Sequence, residues 1–91
     1  MPKIIWKYPI QRASEFTLDM PEGGFEFLSI QMQNGAPCMW VLIDPEQRKV
    51  PHRFRVLPTG QEFDRGDLTR MPYLGTFQPV VGLVFHLFQV L

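Results

Sequence analysis

The sequence predicts an all-β domain, a small antiparallel meander forming a barrel or sandwich of about seven strands. Three observations predict it. Seven short stretches alternate or run apolar, from residues 3–8 to residues 83–90. They recur at intervals of roughly 8–12 residues, a spacing typical of small sandwiches and barrels. Proline, glycine and asparagine turns separate them, with no stretch of helical periodicity between.

Residues 3–8 alternate, with Ile4, Trp6 and Tyr8 on one mostly buried face and Lys3, Ile5 and Lys7 on the other. Pro9 cannot donate to a ladder, so this strand lies at an edge or ends there. Residues 15–20 set Phe16, Leu18 and Met20 against Glu15, Thr17 and Asp19. Met-Pro-Glu-Gly-Gly at 20–24 then makes a turn, because proline presets φ and glycine permits positive values.

Residues 25–33 put Leu28, Ile30 and Met32 on one face and Ser29, Gln31 and Gln33 on the other. Phe25 and Phe27 fall on the glutamine side, a phase slip of the kind a β-bulge near Phe27 produces. Asn34-Gly35 is the strongest hairpin signal in the chain. The returning strand, 37–43, is apolar on both faces. Residues 50–57 alternate, Val50, His52, Phe54 and Val56 against Arg53 and Arg55. Residues 58–71 read as a long polar loop with room for one helical turn near Asp67. Residues 73–78 and 83–90 form a closing hairpin, its last strand again apolar on both faces.

Ninety-one residues make one domain, 1–91, and the 45% hydrophobic and 13% aromatic content supplies a core. Nine basic residues balance nine acidic ones. No global field therefore draws nucleic acid or an anionic membrane, and neither is expected as a partner. Cys38 is the only cysteine, so no internal disulfide forms, and no run reaches membrane-helix length. The expected location is cytoplasmic.

Catalytic and cofactor motifs are absent: there is no HxxxH, no cysteine pair and no glycine-rich phosphate cradle. Cys38 and His86 lie in apolar strands, where a core thiol and a satisfied or interfacial histidine are the plain readings. Asp64 and Asp67 lack calcium-loop spacing. Neither enzyme activity, metal nor cofactor is expected.

Two features point to binding. The strands at 37–43 and 83–90 are apolar on both sides. Either their second faces are covered by the long loop or by curvature, or one of them is a homo-oligomer interface. The apolar Gln-Val-Leu at 89–91 favours association. The second feature is a basic cluster of Arg48, Lys49, His52, Arg53 and Arg55. Arg53 and Arg55 project together from a strand and are suited to gripping a phosphate or carboxylate. With Gln31 and Gln33 on a neighbouring strand they would form a cationic, polar ligand-binding patch. The plainer reading is a solvated face with cross-strand pairing to acidic residues.

Five segments look familiar together: Ile5-Trp6-Lys7-Tyr8, Met20-Pro21-Glu22-Gly23, residues 30–40, Tyr73-Leu74-Gly75-Thr76-Phe77-Gln78, and residues 82–88. The chain resembles a group of small uncharacterised proteins of bacteriophage and bacterial genomes, a domain of unknown function. Pro58-Thr59-Gly60 departs from the Gly-Thr-Gly expected there. The resemblance implies a setting rather than a site: a phage protein that counters host defence. On this expectation the chain is a homo-oligomeric sponge for a small anionic, cyclic-nucleotide-like signal, held by Arg53, Arg55, Gln31, Gln33 and His52. The other expectations are a module that inhibits a host defence protein and a structural virion component.

Overall fold

Asn34 and Gly35 adopt φ values of 52° and 79°, the two positive angles that a tight type I′ turn requires. The turn joins two of the seven strands in a computed structural model that describes residues 2–64, 66 and 68–91. The strands are β1 (Ile4–Pro9), β2 (Glu15–Pro21), β3 (Glu26–Gln33), β4 (Ala36–Ile43), β5 (Lys49–Pro58), β6 (Tyr73–Val80) and β7 (Leu83–Val90). One 3-10 turn, Leu68–Arg70, lies between β5 and β6. Asp67, where the sequence leaves room for a helical turn, is outside the described residues. Among the described residues no helix is long and apolar enough to cross a membrane.

The strands form two antiparallel sheets, ordered β1-β4-β3 and β2-β5-β7-β6. They stack as a sandwich and do not close into a barrel. Only β3–β4 and β6–β7 join sequence neighbours, so the connectivity is more interleaved than a meander. The sheets come closest where β3 meets β6.

Alternation explains which side chains fill the space between them. Phe16 and Met20 of β2, Met39, Val41 and Ile43 of β4, Phe54 and Val56 of β5, and Leu87 of β7 are all buried. Phe54 stacks on Phe16 at 5.3 Å and meets Phe27 edge-on at 6.3 Å. The β3–β4 register shifts between Phe27 and Ser29, at the expected bulge. Leu28 is thereby turned outward, while Phe27 and Ile30 share the inner face, opposite Val41 and Met39.

β1 departs from expectation. Of its supposed buried face only Tyr8 is enclosed; Ile4 is 38% and Trp6 53% exposed. The strand is indeed an edge, and the opposing sheet gives it no cover beyond Tyr8.

A second, smaller core lies on the outer face of the four-stranded sheet. Leu57, Met71 and Phe88 are buried there, with Val90 packed against them. The segment after the 3-10 turn is tied to β7 by bonds from Gln89 N to Pro72 O and from Leu91 N to Arg70 O. The long loop thus covers the second face of β7, one of the two readings its sequence allowed.

Candidate functional site

The five residues expected to form one binding patch fall on three different surfaces. β5 has β2 and β7 as neighbours, whereas β3 pairs only with β4. Arg53 and Arg55 project from the outer face of the four-stranded sheet, and Gln31 and Gln33 from the outer face of the other sheet. The two sets point away from each other across the sandwich. The expected Arg53–Arg55–Gln31–Gln33 patch therefore does not assemble, because strand order separates what sequence spacing suggested.

Four of these residues have a local partner. Arg53 lies 3.9 Å from Glu15, with both side chains more than half exposed, a pairing worth little in water. The Arg55 guanidinium sits 5.8 Å over the Phe63 ring, which in turn packs on Phe88. Gln33 Oε1 accepts from Lys7 Nζ at 2.6 Å. His52 faces inward: its Nε2–H donates to Pro21 O at 2.8 Å, leaving Nδ1 to accept from the buried Gln89 amide at 3.5 Å. Phe25 meets the ring edge-on at 5.1 Å. His52 is thus a tie between strand ends, its Nε2–H committed to Pro21 O.

The concavity lies elsewhere, at one end of the sandwich. A cleft of about 450 Å³ opens between residues 11–14, the end of β5 and the β6–β7 hairpin. Val56, Pro58, Phe77, Pro79, Leu83 and Phe85 make apolar walls, with Phe77 stacked on Phe85 at 5.9 Å. Gln11, Ser14 and Gln61 supply polar edges, and among the described residues Arg12 is the one charged residue lining the cleft.

The rim is positioned by backbone bonds. Ile10 N donates to Pro37 O at 3.0 Å, Ala13 N to Gln11 O at 2.9 Å, and Val56 N to Ser14 O at 2.8 Å. Buried Ile10 anchors the segment, so Arg12 is presented from a pinned loop. It makes no ion pair with any described residue. Beyond the cleft, the hairpin tip holds up Val80, Leu83 and Val81, the last 97% exposed. Sequence reasoning missed this site, because Gln11-Arg12-Ala13-Ser14 matches no motif and only the fold brings it to Phe77 and Phe85.

Another cluster was also invisible in the sequence. His86 Nε2 lies 2.7 Å from Thr59 Oγ1 and its Nδ1 2.9 Å from Thr76 Oγ1, which also bonds Tyr73 OH. Thr59 Oγ1 is within 3.2 Å of Val84 O as well. This hydroxyl–imidazole–hydroxyl chain knits the turn after β5 to β7 and β6. Among the described residues no carboxylate joins it. Among the described residues no three of His, Cys, Asp and Glu gather as metal ligands.

The chain belongs to a family defined as a domain of unknown function, DUF7352, matched over residues 1–91. No curated protein and no solved structure matches it.

Proposed function

We propose that the protein works by binding, without turnover, and that its end cleft takes a small ligand with an apolar or aromatic body and one anionic group. The observation that carries this reading is the pairing of apolar walls with Arg12, a cation at their edge that makes no ion pair with any described residue. Such sites are concave and mostly apolar, with a few polar groups fixing orientation. The stacked Phe77–Phe85 pair suits a planar ring, and a guanidinium suits a phosphate or carboxylate. A cyclic-nucleotide-like signal meets both demands. In a bacteriophage setting the protein is then a cytoplasmic sponge that withholds such a signal from host defence.

Isothermal titration with cyclic mononucleotides, cyclic dinucleotides and ADP-ribose derivatives tests the reading. Arg12→Ala should weaken binding about tenfold or more, the scale of one charge-assisted hydrogen bond. Arg53→Ala with Arg55→Ala should leave it unchanged. The reverse pattern would move the site to the outer face of the four-stranded sheet.

The bare apolar tip at Val80, Val81 and Leu83 favours a second reading, a module that docks on a host defence protein. One stoichiometric host protein retained by the wild type and lost with Val81→Lys would support it.

A further inference from the structure

We propose that the end cleft runs on into a second, shallower lobe, where Thr59 accepts a hydrogen bond from the far end of the ligand. This rests on the reading of the cleft as a binding site. It adds a demand on the ligand's chemistry: an uncharged N–H or O–H donor at the end away from the anionic group.

The lobe has a volume of about 280 Å³ and adjoins the cleft. Pro58, Leu83 and Phe85 line both, while Thr59, Gly82 and Val84 complete the lobe. Arg12 belongs to the cleft alone and Thr59 to the lobe alone, and the shared apolar residues join the two. A ligand anchored at Arg12 and lying along Phe85 therefore brings its other end to Thr59. Among the described residues no charged side chain lines the lobe, so that end is uncharged.

The turn that carries Thr59 is well held. Gly60 takes a φ of 91°, and Gln61 N donates back to Pro58 O at 3.3 Å. Thr59 N donates to Val84 O at 3.0 Å, and Thr59 Oγ1 donates to the same oxygen at 3.2 Å. Both lone pairs of that carbonyl are thereby taken. Val84 O has nothing left for a ligand.

The hydroxyl of Thr59 is in a different position. Its one hydrogen is committed to Val84 O, so His86 Nε2, at 2.7 Å, is the donor in the bond between them. His86 Nδ1 then accepts from Thr76 Oγ1 at 2.9 Å, and Thr76 in turn accepts from the Tyr73 hydroxyl. Thr59 Oγ1 thus gives one bond and receives one among the described residues. A hydroxyl oxygen has two lone pairs, so one remains open. With no hydrogen left to give, Thr59 can meet a ligand only as an acceptor. An amino group on a planar ring that lies along Phe85 is such a donor, whereas a bare ring edge leaves the lone pair unmet.

Isothermal titration with cyclic adenosine monophosphate, and with the cyclic purine riboside monophosphate that differs only in lacking the amino group, tests this. The wild type should bind the amino ligand about three- to tenfold more tightly, the net worth of one hydrogen bond. Thr59→Val should erase the preference by weakening the amino ligand alone, and Thr59→Ser should keep it. Arg12→Ala should weaken both ligands by the same factor. The ligand pair on the wild type decides the matter even if Thr59→Val fails to fold. Equal affinities that still depend on Arg12, or a preference that survives Thr59→Val, would overturn the role of Thr59 and leave the cleft reading standing. Binding of neither ligand would overturn both.

Discussion

A Cβ added to Gly75 would stand 2.6 Å from Ile30 Cδ1 and 3.2 Å from its Cγ1, so the β6 backbone rests directly on a β3 side chain. This contact is where the two sheets of the sandwich come together. Glycine leaves room there for Ile30, since a side chain would force Ile30 into another rotamer or β6 away from β3.

Gly75→Ala should therefore lower stability by about 1–3 kcal/mol, the usual range for overpacking. Combining it with Ile30→Val, which removes the offending Cδ1, should recover much of the loss. Urea denaturation of the two single variants and the double variant measures this. Additive losses would show that the close approach is not the cause.

Phe54 is almost fully buried and lies between Phe16 and Phe27. Phe54→Ala should cost about 3–5 kcal/mol, and Phe54→Leu distinctly less. A small effect in denaturant titration would mean that the sheets close over the gap.

Burial pushes the Tyr8 phenol above its ordinary value of 10.0. The folded state then holds this proton more tightly than the unfolded chain does. The associated stability is full below pH 10.0 and is lost as pH rises through the folded-state value. Stability curves of the wild type and Tyr8→Phe should run parallel below pH 10.0 and diverge above it, the wild type falling faster until the folded-state value is passed. Parallel curves throughout would count against the burial of this hydroxyl.

Thr59→Val removes the hydroxyl that His86 and Val84 O share. It should cost about 1 kcal/mol, the usual net worth of such bonds. Neither wild type nor variant should hydrolyse an activated ester. Turnover present in the wild type and absent in Thr59→Val would instead identify Thr59 and His86 as nucleophile and base.

Local features were legible in the sequence and long-range ones were not. The bulge at Phe27 showed as a break in alternation, and the Asn34-Gly35 turn as a residue pair that tolerates positive φ. The doubly apolar β7 signalled cover on both faces, supplied by the core and by Met71 with the long loop. Alternation in β1 could not reveal that the opposing sheet leaves Trp6 uncovered, since the period reports direction and not cover. Strand order likewise leaves no trace in residue spacing. Gln31 and Gln33 therefore parted from Arg53 and Arg55, and Arg12 met Phe85 without any motif to announce it.

The position of β7 between β5 and β6 also governs how the chain matures during synthesis. β5 and β6 acquire their shared neighbour only after residues 83–90 have left the ribosome, so the larger sheet cannot grow hairpin by hairpin from its N-terminal side. Until then β5 has β2 alone, and its other flank is open to wrong partners. Such non-local pairing is slow. Truncations that stop before Leu83 should accordingly be sticky intermediates that depend on chaperones, even though most of the core side chains are already present.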